Sequence, residues 1–109
     1  MNEDTREAYA EAVLDIQFDP MAGYEQTMAL RHQSRYFTSG LQYAFLFDNG
    51  TGRETPYAKF YGYLVEDSRT RHLIAEGMDS RLRQRGFGAP HKHRDWVGNE
   101  TWTWYYPTP

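Results

Sequence analysis

Residues 55–94 constrain the fold of this chain more than any other stretch. They open with Thr-Pro-Tyr-Ala-Lys-Phe-Tyr-Gly-Tyr-Leu-Val, the densest apolar block in the sequence. They continue through Leu73, Ile74, Met78 and Leu82 and end in Arg81-Leu-Arg-Gln-Arg-Gly-Phe-Gly-Ala-Pro-His-Lys-His-Arg. The first half reads as core and the second as a positively charged surface, so any fold must place the two side by side. With 109 residues there is room for one domain and one core. Aliphatic residues are few. The 9 Tyr, 6 Phe and 3 Trp must therefore supply much of the buried area, at about 150–250 Å² per ring.

Periodicity assigns the elements. Residues 3–17 read as an amphipathic helix, with Ala8, Tyr9, Ala12, Val13 and Ile16 on one face and Asp4, Glu7, Glu11 and Asp15 opposite. Asp19-Pro20 is an N-cap followed by a first-turn proline and starts a second helix. That helix carries Met21, Tyr24 and Met28 and ends near Tyr36. Residues 41–47 read as a strand, Asp48-Asn49-Gly50 as a hairpin turn, and the chain to Glu54 as a short return. Thr55-Pro56 offers another cap, and Tyr57, Phe60, Tyr61 and Leu64 follow at helical spacing. This predicts a helix over 57–64, with a buried strand as the competing reading because strand formers and Gly62 crowd the segment. Asp67 or Ser68 caps a further helix, weakened at Gly77 by about 1 kcal/mol relative to Ala and stopped by Gly86. Residues 86–98 read as loop.

Residues 100–106 alternate cleanly and predict a strand. Trp102, Trp104 and Tyr106 are expected on the helix-facing side, and Thr101, Thr103 and Tyr105 on the other. Pro107 and Pro109 point to an edge position, open to pairing with another chain. The expected fold is α+β: a single domain over residues 1–109, with three or four helices packed on a small antiparallel sheet.

Charge is polarised. Residues 1–25 carry −6 and residues 69–94 carry +5, while the whole chain carries −3. An acidic total argues against a dedicated genomic DNA binder, but a local basic segment can hold a phosphate or an acidic partner. The absence of cysteine excludes disulfides and thiolate metal sites and agrees with a reducing compartment. No apolar run approaches the roughly 20 residues of a membrane span, and the acidic stretch Met-Asn-Glu-Asp-Thr-Arg-Glu does not resemble a signal peptide. A cytoplasmic protein is expected, with no membrane partner.

Three constellations can carry function. His91-Lys-His93-Arg-Asp95 has alternating ligand types on an extended segment. Over these five residues it resembles the His-x-His-x-Asp start of the metallo-β-lactamase-type hydrolases, although the family's next His is Trp96 here. Arg85-Gly86-Phe87-Gly88 resembles the first half of the RNP1 motif of RNA-recognition domains, from which Ala89 and Pro90 then depart. Arg81, Arg83 and Arg85, with Lys92 and Arg94, form a basic set suited to phosphate or carboxylate. The plainer reading of that set is a surface tied by ion pairs to the acidic first helix. No nucleophile elbow, phosphate loop or zincin motif occurs, and no cofactor is expected.

The leading expectation is a small, non-enzymatic protein acting by contact with another protein. Small inhibitors, adaptors and virus-encoded assembly or counter-defence proteins share this composition. Its contact residues are expected among Arg81, Arg83, Arg85, Lys92 and Arg94, or on the strand face of Thr101, Thr103 and Tyr105, where self-association is also possible. A nucleic-acid-binding module using residues 81–94 is the alternative, and a metal-dependent hydrolase at His91, His93 and Asp95 the third reading.

Overall fold

The computed structural model describes residues 3–19, 45–47 and 57–106. The expected second helix, the Asn49-Gly50 turn with its return strand, and Pro107 and Pro109 lie outside the described residues.

Helix α1 (Glu3–Gln17) buries Ala10, Val13 and Leu14, with Tyr9 and Phe18 beside them. Ala8 is exposed, so the buried stripe lies to one side of the expected one. Ala10, Val13 and Leu14 hold the spacing that places residues on a common helix face. Helix α2 (Ser68–Gln84) buries Thr70, Ile74, Ala75, Met78 and Leu82. Both of its ends are satisfied locally. The Asp67 carboxylate accepts from the Thr70 N–H at 2.9 Å and the Thr70 hydroxyl at 2.8 Å. Arg6 of α1 reaches the same carboxylate at 3.0 Å. Burial pushes the Asp67 carboxyl up, but the Thr70 bonds and the Arg6 guanidinium outweigh it and hold it below the usual range. At the other end the Gly86 N–H donates to Arg83 O and the Phe87 N–H to Leu82 O, both at 3.0 Å. Gly86 adopts φ +96°, which completes a Schellman cap, with Phe87 and Leu82 both buried in the core.

Residues 57–61 form a strand, β2 (Tyr57–Tyr61), not the expected helix. Ala58 and Phe60 are buried while Tyr57, Lys59 and Tyr61 are half-exposed, a period of two. The competing strand reading holds because pairing on both sides supplies hydrogen bonds that an isolated turn of helix lacks. A 3-10 turn follows at Gly62–Leu64. A Cβ at Gly62 would collide with the Trp102 ring, so this close approach requires glycine.

The sheet is antiparallel, in the order β1 (Phe45–Phe47), β2, β4 (Glu100–Tyr105), β3 (His91–Arg94). Register sets Ala58 opposite Trp104 and Phe60 opposite Trp102, then Lys92 opposite Trp102 and Arg94 opposite Glu100. Two expectations are corrected here. The segment expected as loop contains β3, and β4 is a central strand, not an edge. Its N–H and C=O groups face β2 on one side and β3 on the other, so it offers no free backbone for strand addition. Tyr106 also lies beyond the strand, with its ring 5.4 Å from that of Phe87.

α2 lies over β4 and the 3-10 turn, and α1 packs along α2. The core joins both helices to Ala58, Phe60, Val65, Phe87, Trp102 and Trp104. The Phe60 and Trp102 rings stack at 5.6 Å. The class is α+β as expected, with two helices among the described residues. None of these is long and apolar enough to cross a membrane.

Candidate functional site: the β3–β4 hairpin

The hairpin grows from a polar strand. His91, Lys92, His93 and Arg94 are all exposed. Charged side chains on an edge strand discourage unwanted pairing. Alternation sends Lys92 and Arg94 to the helix side and His91 and His93 to the opposite side.

Asp95 builds the turn. Its Oδ1 accepts from the N–H of Val97 and of Asn99, both at 2.9 Å, and its Oδ2 from the Asn99 side chain at 3.1 Å. The backbone closes with Asp95 N–H to Asn99 O at 3.1 Å and Gly98 N–H to Asp95 O at 3.0 Å. The Asn99 N–H, followed by that of Val97, holds the Asp95 carboxyl below its ordinary value. Gly98 adopts φ +95°, as the last residue of a three-residue hairpin loop requires. Nothing lies within 4 Å of a Cβ added at Gly98, so the cost of Gly98→Ala is a backbone cost alone. It is expected at about 1–2 kcal/mol in urea unfolding, with Gly98→Asn milder because Asn tolerates this region. A Gly98→Ala protein as stable as wild type would show that the turn does not hold the described conformation.

At the tip of this braced turn, Trp96 is 95% exposed and Val97 63% exposed. Behind them sits a buried carboxylate. Glu100 is 6% exposed and lies on the same strand face as Trp102 and Trp104. Lys92 Nζ is 2.7 Å from Oε2, Arg94 Nη2 3.3 Å and Arg71 Nη1 3.7 Å from Oε1, and His72 Nε2 3.8 Å from Oε2. The Lys92 ammonium, against the opposing effect of burial, holds the Glu100 carboxyl low. Arg71 is otherwise committed to backbone, donating to Gly62 O at 2.9 Å and to Val65 O at 2.9 Å. Lys92 and Arg94 remain substantially exposed, and one carboxylate does not neutralise both together with Arg71.

The five cations singled out in the sequence do not form one patch. Arg81 bonds Glu11 at 2.9 Å and Asp15 at 2.8 Å, the ion pairing with the acidic first helix given as the plainer reading. Arg83 bonds Asp79 at 2.8 Å. Arg85 stands 4.9 Å from the Phe18 ring. Lys92 and Arg94 converge on Glu100 beside Arg71, which precedes Arg83 by about 18 Å along α2. Thr101, Thr103 and Tyr105 do share the face away from the helices, but Thr103 is only 8% exposed. His91 lies 5.5 Å from Tyr105, ring to ring, and both Asp95 oxygens are occupied by the turn. Among the described residues no three His, Asp or Glu side chains gather as a metal site.

Glu100, Arg71 and His72 belong to this cluster without standing in any of the sequence constellations. Glu100 carried a signal nonetheless: an acid in phase with two core tryptophans on one strand must find cations. Comparison with protein families, with curated proteins and with solved structures gives no match.

Proposed function

We propose that this chain is a small non-enzymatic binding protein that engages another protein through the β3–β4 hairpin, with Trp96 as the central contact. The observation that carries this reading is the near-complete exposure of Trp96 on a turn braced by Asp95. Trp is enriched among the residues that dominate interface energetics, and a preorganised turn lowers the ordering cost of binding. The internal pairing of Arg81 and Arg83 with carboxylates favours this over the nucleic-acid alternative, which needs cations free for phosphate.

Trp96→Ala tests the proposal, because an exposed ring can be removed without opening a core. Unfolding of the variant is expected to match wild type within about 0.5 kcal/mol. A protein captured by wild type is expected to bind the variant at least about 30-fold more weakly, the size of a hot-spot loss. Tyr63→Ala, which removes another exposed ring, is expected to retain it. Equal capture by Trp96→Ala and wild type would end the reading. Binding to nucleic acid with a log–log salt slope of about −3 to −4 would replace it with the alternative.

A further inference from the structure

A second feature of the surface matches the hairpin. Between α1 and α2 lies a cleft of about 320 Å³, lined by Glu7, Ala10, Glu11, Leu73, Glu76 and Gly77. Its apolar lining comes from Ala10, Leu73 and Gly77. The helices approach closely here because Gly77 has no side chain: a Cβ at that position would collide with Leu14. Carboxylates of Glu7, Glu11 and Glu76 surround this apolar strip. Arg81 offsets part of that charge through Glu11 and Asp15. The volume is at the low end of the roughly 300–1,000 Å³ of ligand pockets, enough for a single large side chain.

We propose that this cleft receives the hairpin of a second copy of the chain. The Trp96 ring enters between α1 and α2, and Arg94 and Lys92 meet Glu7, Glu11 and Glu76. This assignment rests on the hairpin being a binding element and names the occupant's counterpart. The two surfaces are unlike in shape and complementary in local charge. One is an exposed indole on a hairpin whose helix-side face gathers Lys92, Arg94 and Arg71 around the single carboxylate of Glu100. The other is a small apolar hollow flanked by acids. They do not meet within one molecule, where Trp96 is 95% exposed. Tip and cleft are different surfaces, so each copy is both donor and acceptor. A contact made by one hairpin tip falls below the about 1,200 Å² of stable interfaces, so the association is weak and concentration-dependent. It weakens further with salt because its rim is ionic.

Sedimentation equilibrium of the full chain, from about 10 μM to about 1 mM, a range suited to weak association, tests this. The weight-average mass of wild type is expected to rise above the monomer mass of 12.9 kDa, less so at high salt. Trp96→Ala, which lacks the tip, and the double variant Glu7→Lys with Glu76→Lys, which inverts the cleft, are each expected to stay monomeric. Mixed one to one they are expected to form dimers, because the intact tip of the cleft variant fits the intact cleft of the tip variant. Unchanged circular dichroism and melting show that neither variant acts by unfolding. A wild type that stays monomeric throughout, association that survives either variant, or a mixture that stays monomeric overturns the proposal. If wild type is monomeric while Trp96→Ala still loses a captured protein, the second-copy assignment fails and the hairpin reading stands. If Trp96→Ala changes neither self-association nor capture, both fail.

Discussion

Replacing Trp104 by Ala is expected to cost about 3–5 kcal/mol, much of the 5–15 kcal/mol that holds a typical small domain together. Trp104 is fully buried and heads the large buried side chains. It sits on the central strand, opposite Ala58 of β2, and belongs to the core shared with both helices. The small Ala58 opposite it leaves room for the indole. Its Nε1–H donates to Asp79 Oδ1 at 3.0 Å, the same oxygen that receives Arg83 at 2.8 Å. The indole therefore also fixes the carboxylate that pairs Arg83. Trp104→Ala removes ring burial and this hydrogen bond together. Trp104→Phe keeps most of the burial and loses the donor, and is expected to cost about 1–2 kcal/mol. Urea unfolding followed by far-ultraviolet circular dichroism measures both, and thermal midpoints should fall by about 4–8 °C per kcal/mol. A loss below 1 kcal/mol for Trp104→Ala would mean that the indole does not fill the core.

Elements that carry their own boundaries were readable from the sequence. α2 declares itself by Asp67 before it, Gly86 after it and Ile74, Met78 and Leu82 between, and it folds as read. β4 was legible as a strand from its alternation, but its place in the sheet was not. Pro107 follows the strand and so constrains none of its backbone pairs, and the partner on its other side, β3, has no apolar residue to reveal it. His91-Lys92-His93-Arg94 is a strand because β4 offers it hydrogen bonds and because an edge tolerates charge. β2 forms in place of the expected helix, as the competing strand reading has it, for a related reason. Over five residues, Tyr57, Phe60 and Tyr61 fit a helical period while Ala58 and Phe60 fit a period of two, and long-range pairing with β4 decides. The basic residues were legible as charges but not as partnerships, apart from the link between Arg81 and the acidic first helix. Where Trp96 stands depends on the β3–β4 turn, so its exposure follows only once β3 is recognised.

The ion cluster at Glu100 yields the second large effect, and its sign depends on pH. Glu100→Gln keeps the shape and removes the charge, leaving Lys92, Arg94 and Arg71 facing one another without a counter-ion. Breaking a fully buried pair costs about 3–5 kcal/mol. Here Lys92 and Arg94 are 43% and 62% exposed in their side chains and can turn toward water, which reduces the expected loss to about 1–3 kcal/mol at neutral pH. Lys92, followed by burial acting in the opposite sense, holds the folded Glu100 carboxyl below its ordinary value of 4.5. The folded form thus binds its proton less readily than the unfolded form. The stability this provides is complete above the ordinary value and disappears as pH falls through the lowered one. Asp67 and Asp95 are lowered as well, so wild type loses stability in acid from several carboxylates at once. Comparing wild type with Glu100→Gln at each pH isolates Glu100. The difference is expected to be flat above about pH 5 and to shrink steadily below it. A difference that stays constant in acid, or grows, would show that the glutamine variant fails for a steric reason. Lys92→Met approaches the same pair from the cation side. In a double-mutant cycle with Glu100→Gln the two losses should add to more than the double variant shows. Strict additivity would mean that the fold holds Glu100 in place independently of Lys92, and that the charge at the base of the hairpin is set by Arg71 and Arg94.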